Sequence, residues 1–69
     1  MNRTPVESSM INAVGYDEQA RQLEVEFRNG QVYRFSNVPA DIHSQMMSAP
    51  SVGKYFGTNV RGKFSYSKG

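Results

Sequence analysis

Two β-favouring segments around Asn29-Gly30 constrain the fold more than any other part of the sequence. Residues 23–27 alternate strictly between apolar and acidic side chains, which is typical of a strand with one buried face. Residues 31–36 are again β-favouring, and Asn-Gly between two such segments is a strong hairpin signal. The sequence therefore predicts two antiparallel strands joined by a tight turn.

The length of this turn decides which side chains share a face, because a shift of one residue moves every side chain to the opposite face. A two-residue loop would pair Val25 with Arg34. A three-residue loop instead pairs Val25 with Tyr33 and sets Glu24 opposite Arg34, a favourable cross-strand charge pair. The longer loop also favours a left-handed glycine at its end, where Gly30 stands. We therefore predict the three-residue loop, with Tyr33 on the core face.

A further strand is predicted before the hairpin. Residues 10–16 are β-favouring, and Gly15 within them indicates either a bulge or a close approach of another chain segment. The polar residues 17–20 predict the turn that leads into the hairpin.

Two short helices are predicted after the hairpin. Ile42, Met46 and Ala49 recur at helical spacing and form one apolar stripe. Pro50 ends this helix, because proline cannot continue the hydrogen-bond pattern. Ser51 is a suitable N-cap for the second helix.

The fold class that follows is α+β, with the order β-β-β-α-α. We expect a small antiparallel three-stranded sheet with both helices packed on one face. Residues 63–66 alternate again and are either a fourth strand or an aromatic tail. The chain divides into a flexible N-terminal arm (1–8), a single domain (9–66) and a tail (67–69).

The composition excludes several classes of site and segment. The 69 residues include no cysteine, so disulfides and thiolate metal sites are impossible. The N-terminus has no apolar run typical of a signal peptide, and no stretch approaches the roughly 18 apolar residues of a membrane span. We therefore expect a cytoplasmic location and no membrane partner.

Signals for catalysis are weak. His43 is the only histidine, and Asp41 stands two residues away, so the two side chains do not face each other on a helix. Glu24 and Glu26 share a strand face and are interpreted as its wet side. We therefore predict no enzyme activity, no metal site and no cofactor.

Signals for binding are stronger, because charge is unevenly distributed. Residues 1–53 hold four arginines and all six acids, whereas residues 54–69 hold four cations and no acid. Aromatic rings among cations suit single-stranded nucleic acid, whose phosphates contact the cations while its bases stack on the rings. The predicted nucleic-acid-binding residues are Arg34, Lys54, Arg61, Lys63, Tyr66 and Lys68.

Several short motifs, in order, resemble the KTSC domain family, which occurs in bacteria as a small protein and as an extension of some lysyl-tRNA synthetases. They are Val14-Gly15-Tyr16-Asp17, the strand 23–27, Tyr33-Arg34-Phe35, Asn37-Val38-Pro39, Ser51-x-Gly53-x-Tyr55-Phe56, Val60-Arg61 and Tyr66. Gly57 departs from the pattern, because we expect asparagine after the aromatic pair.

The resemblance implies one compact domain of uncharacterised role, for which the synthetase association suggests RNA. The matching exposed candidates are Arg34, Lys54, Arg61 and Tyr66. We therefore expect a non-catalytic domain that binds RNA, either tRNA or another RNA. The alternative is a protein-interaction module, with another protein or a second copy of itself as partner. Met46-Met47 motivates that alternative, since methionines suit adaptable interfaces.

Overall fold

Five strands and two helices follow one another in the computed structural model, which describes residues 3–68. The strands are β1 (Arg3–Pro5), β2 (Ile11–Asp17), β3 (Gln22–Phe27), β4 (Val32–Phe35) and β5 (Tyr66–Lys68). The helices, both between β4 and β5, are α1 (Ala40–Ser48) and α2 (Val52–Asn59). The strands form one sheet in chain order, and all neighbouring pairs are antiparallel.

The α+β class is confirmed, but the sheet is larger than predicted. Residues 3–5, assigned to a flexible arm, pair with β2 along one edge of the sheet. Residues 66–68 pair with β4 along the other edge, so a strand does follow the helices, but it shares only Tyr66 with the predicted segment 63–66 and otherwise lies in the predicted tail. Both strands are three residues long, too short for an alternating pattern to be visible in the sequence. The division of the chain at residues 9 and 66 stays a prediction.

The β3–β4 hairpin has the predicted register. Val25 pairs with Tyr33, and Glu24 pairs with Arg34. Gly30 ends the three-residue loop with φ of +90°, a left-handed conformation that glycine adopts without strain. Its N–H donates to the carbonyl of Phe27 at 2.9 Å, which closes the turn.

The pairing of β2 with β3 shows where β2 is irregular. The register shift in β2 lies between Ile11 and Ala13, so the bulge is not at the glycine. Gly15 instead pairs with Arg3 on one side and Glu24 on the other. Because Gly15 has no side chain, the Arg3 side chain can cross it to reach Glu24. A bulge at Gly15 is therefore wrong, and the close approach stays a prediction.

Proline and serine set the limits of the helices. Pro39 has extended backbone and is the last residue before α1. Ser51 caps α2 as predicted, because its Oγ accepts a hydrogen bond from the N–H of Lys54 at 3.2 Å. Neither helix of residues 3–68 is long and apolar enough to cross a bilayer.

The core lies between the helices and one face of the sheet, which we call the inner face. Its buried members are Ile11, Val14, Leu23, Val25, Phe35, Val38, Met46, Val52, Phe56 and Val60. Met46 is fully buried, and Met47 is partly buried against the core. These two methionines therefore do not form an exposed apolar patch for a partner protein.

Candidate functional site

An open cleft lies on the inner face, beside the C-terminal end of α2 and the exposed edge of the sheet. Its volume is about 270 Å³. Drug-sized ligands occupy sites of about 300–1,000 Å³, so this cleft suits a smaller group. The lining residues are Met10, Phe27, Asn29, Gln31, Tyr33, Phe35, Phe56, Arg61, Gly62 and Tyr66.

Tyr66 forms the exposed wall of the cleft, with 58% of its surface accessible to solvent. Its ring stacks on Tyr33, with centroids 5.0 Å apart and planes 21° apart. The same ring is tilted against Phe35 at 5.4 Å. Tyr66 is therefore fixed by two rings of β4 and still offers aromatic surface to solvent.

Three aromatic rings, two of them buried and Phe27 partly buried, form the floor of the cleft. Phe56 of α2 makes edge-to-face contacts with Phe27 and with Phe35, both at 5.5 Å between centroids. Such contacts contribute about 0.5–1.5 kcal/mol each beyond the area they bury. Because Phe56 belongs to the hydrophobic core, the cleft is built directly on that core.

Polar side chains line the side of the cleft that the β3–β4 turn forms. Asn29 Oδ1 accepts a hydrogen bond from the backbone N–H of Gln31 at 3.0 Å. The hydroxyl of Tyr33 donates to Gln31 Oε1 at 3.3 Å. Both amide oxygens are therefore engaged within the protein, and the amide N–H groups remain as donors.

Four of the six predicted binding residues lie at or next to the cleft. Arg61 and Tyr66 line it, and Lys63 follows the lining residue Gly62. Lys68 pairs with Tyr33 across β4 and β5, so it shares the inner face with that ring. All three cations in this group are exposed.

The other two predicted residues lie elsewhere. Lys54 is in the first turn of α2, and the C-terminal end of that helix is about 8 Å away along its axis. Arg34 is on the opposite face of the sheet, which we call the outer face, because it alternates with Tyr33 and Phe35. The structure therefore does not bring Lys54 or Arg34 to the cleft.

The outer face holds a cluster of paired charges. Arg34 Nε donates to Glu24 Oε2 at 2.8 Å, and Arg3 Nη1 lies 3.3 Å from Glu24 Oε1. The Glu24 side chain is only 7% exposed between these two guanidinium groups. The interpretation of Glu24 as part of a wet face was therefore wrong, because Arg3 comes from a strand that the sequence did not predict.

A second aromatic pair lies at the other end of the inner face. His43 of α1 stacks on Tyr16, with centroids 4.8 Å apart and planes 10° apart. The Tyr16 hydroxyl donates to the carbonyl of Val38 at 2.6 Å. Burial lowers the pKa of His43 below its usual value of 6.5. This pair fastens α1 to the sheet.

Comparison with known proteins identifies the family. A family model for the KTSC domain matches residues 7–64. The chain belongs to the KTSC domain family. The crystal structure of a KTSC domain protein from Yersinia pestis has a TM-score of 0.95 to this chain at 42% identity, covering 97% of this chain and 94% of that one. An uncharacterised protein of Stutzerimonas stutzeri is 38% identical over 56 residues, which are 81% of this chain and 79% of that protein.

Other relatives of this KTSC domain are parts of larger enzymes. Lysine–tRNA ligases of Nostoc punctiforme and Trichormus variabilis are 32% and 36% identical to it over 62 residues. Each match covers 90% of this chain but only 11% of the ligase. The predicted family is confirmed, and a segment similar to this KTSC domain forms a small part of each ligase.

Sequence reasoning missed Asn29, Gln31 and Met10 as lining residues of the cleft. Asn29 was assigned only its turn role, although a hairpin turn at the end of an aromatic strand also presents side chains to that strand's inner face. Met10 is 44% exposed and precedes β2, where no sequence pattern distinguishes it from a core residue.

Proposed function

We propose that this KTSC domain is a non-catalytic module that binds single-stranded RNA in the aromatic cleft. The observation that carries the proposal is the ring of Tyr66, which is held by Tyr33 and Phe35 and yet mostly exposed. A large apolar ring that is fixed but exposed suits a planar partner. An unpaired base is such a partner, and stacking on an aromatic side chain contributes about 1–3 kcal/mol.

The charges around the cleft support a polyanion. Arg61 lines the cleft, and Lys63 and Lys68 stand beside it. No acidic residue follows Asp41 in the sequence, so these cations have no carboxylate neighbour along the chain. Phosphates that flank a stacked base would contact these cations.

The relatives favour RNA over DNA. A segment similar to this domain occurs in lysine–tRNA ligases, and the name of these enzymes gives tRNA as a substrate. An RNA-contacting role would suit both the ligase segment and the separate chain.

The first test is a titration of amide chemical shifts with a short mixed-sequence RNA, then with tRNA, at about 50 mM and about 200 mM salt. We expect shifts around Arg61, Lys63, Tyr66 and Lys68 that weaken as salt rises. Three cations on single-stranded phosphates predict a slope of about −2 for log K against log salt. The absence of shifts at the lower salt concentration would overturn the proposal.

The Tyr66→Ala variant tests the stacking role. We expect about tenfold weaker RNA binding, because the exposed ring is lost. The change leaves Phe56 and the rest of the core in place, so the urea unfolding midpoint should fall only slightly. Unchanged affinity in this variant would remove the cleft from the proposal.

Arg21→Gln is a matched control for loss of a cation. Arg21 is exposed in the β2–β3 turn and does not line the cleft. We expect its substitution to change affinity less than Arg61→Gln does. Equal effects would mean that binding follows net charge alone.

A partner protein is the less favoured proposal. Its motivation was an apolar excess at Met46-Met47, but Met46 is buried in the core. The exposed edges of β1 and β5 are the surfaces that such a partner would use.

A further inference from the structure

The hydrogen-bonding groups of the cleft carry a second inference, which rests on the proposed function. The Oδ1 atom of Asn29 already accepts from the backbone N–H of Gln31. That bond fixes the orientation of the amide, because only its oxygen can accept. The Nδ2 group of Asn29 is therefore left as a donor with no partner among residues 3–68.

Gln31 and Arg61 add donors to the same cleft. Gln31 Oε1 accepts from the hydroxyl of Tyr33, which leaves the Nε2 group available. Arg61 carries five N–H donors and no acceptor. The ion pairs within the described part of the chain involve only Arg3 and Arg34, so the Arg61 guanidinium is not engaged with a carboxylate there.

A base edge that meets these groups must therefore supply acceptors. Guanine presents two adjacent acceptors, O6 and N7, on one edge. Adenine has a donor, its N6 amino group, at the place of O6, and cytosine has a donor amino group at C4. The donors of Asn29 and Arg61 would meet those amino groups unfavourably. Uracil has no amino group, but its corresponding edge offers one acceptor, O4, where guanine offers two.

We infer that the cleft binds one unpaired guanine and recognises its O6 and N7 edge. The ring system stacks on Tyr66, and the acceptor edge faces Asn29, Gln31 and Arg61. Its volume of about 270 Å³ suits one nucleobase. The neighbouring nucleotides contribute phosphate contacts to Lys63 and Lys68 without specifying sequence.

The test compares five-nucleotide RNAs of uridines in which only the central base differs. We expect the central guanine to bind about fivefold or more tightly than adenine, cytosine or uracil. Inosine keeps O6 and N7, so it should bind like guanine. 7-Deazaguanine lacks the N7 acceptor and should bind several-fold more weakly.

The variant Asn29→Asp tests whether the Nδ2 donor of Asn29 contributes to guanine recognition. Aspartate keeps the oxygen that accepts from Gln31, so the turn is retained, but it replaces the Nδ2 donor with a second acceptor. We expect the ratio of guanine to adenine affinity to fall towards one. Asn37→Asp adds the same charge at a left-handed residue that does not line the cleft, and it should leave that ratio unchanged.

The outcomes separate this inference from the proposed function. Equal, salt-sensitive binding of all central bases would overturn guanine recognition and keep RNA binding. A preference for adenine, or equal affinity for guanine and 7-deazaguanine, would also overturn it. No binding of any of these RNAs at low salt would overturn both.

Discussion

The cations on the two faces of the sheet differ in whether a carboxylate lies beside them. On the outer face, Arg3 and Arg34 converge on Glu24, which is almost completely buried beneath them. At the cleft on the inner face, Arg61, Lys63 and Lys68 stand in a part of the sequence without acids. The comparison teaches that a cation becomes available to a ligand through the absence of a nearby carboxylate, and not through exposure alone.

The difference also separates two uses of charge. The outer cluster joins β1, β3 and β4 across the sheet, so it contributes to folding. The cleft cations make no such cross-strand ion pairs within residues 3–68. Substitutions on the outer face should therefore change stability, whereas substitutions at the cleft should change binding.

The largest stability effect is expected for Glu24→Gln. The change keeps the side-chain shape but removes the negative charge between two guanidinium groups. We expect the free energy of unfolding to fall by about 1.5–3 kcal/mol, because hydrogen bonds to a charged group contribute that much. Urea unfolding monitored by circular dichroism measures it.

Glu26→Gln is the matched control on the same strand. Glu26 lies 3.5 Å from Arg3 but is more exposed than Glu24. We expect a loss within about 1 kcal/mol, as for a surface ion pair. An equal loss in both variants would mean that burial does not increase the contribution of Glu24 to stability.

Arg34→Gln and Arg61→Gln should each cost about 1 kcal/mol, the first in free energy of unfolding and the second in free energy of RNA binding. Arg34→Gln should lower the urea midpoint and leave RNA affinity nearly unchanged. Arg61→Gln should weaken RNA binding about fivefold and reduce the salt slope by about 0.7. If Arg34→Gln weakened binding as much as Arg61→Gln, the outer face would belong to the interface.

The hairpin and its faces could be predicted from the sequence, because local rules determine them. The loop with Gly30 and the cross-strand pair of Glu24 with Arg34 both select one register, and the structure has it. The same pair already implied that Arg34 is occupied by a carboxylate. Its inclusion among the binding residues rests on its exposure and on the family motif, and it does not take this carboxylate into account.

The cleft could not be predicted in the same way. Its lining comes from four separate places in the chain, namely Met10, the β3–β4 hairpin, the end of α2 and Tyr66. Tyr66 is brought to Tyr33 only by β5, and the pattern of residues 63–66 does not distinguish a fourth strand from an aromatic tail. Burial of Glu24 was missed because it depends on Arg3 in β1.

The smallest expected effect is on the pH dependence of stability, through the Tyr16–His43 stack. This aromatic pair is partly buried, whereas the Tyr66 ring is exposed. Burial lowers the folded-state pKa of His43 below 6.5, so the unfolded chain takes up the proton first as pH falls. Stability should be complete above pH 6.5 and should decrease slightly as pH falls below that value. Urea midpoints at several pH values should show this decrease.

The His43→Gln variant isolates that contribution. We expect its urea midpoint to change less than the wild-type midpoint between neutral and mildly acidic pH. At lower pH, protonation of carboxylates should dominate the loss of stability in both proteins. A wild-type profile identical to that of the variant would contradict the stated pKa direction.

The chain-ordered sheet has a practical geometric consequence. Five strands spaced about 4.8 Å apart separate β1 from β5 by about 19 Å. A tag or surface linker joined ahead of Arg3 would therefore leave from the edge far from the cleft. One joined after Lys68 would begin two residues beyond Tyr66 and would crowd the ligand in the proposed RNA-binding cleft. Immobilised binding measurements on this domain should accordingly be tethered through its N-terminal side.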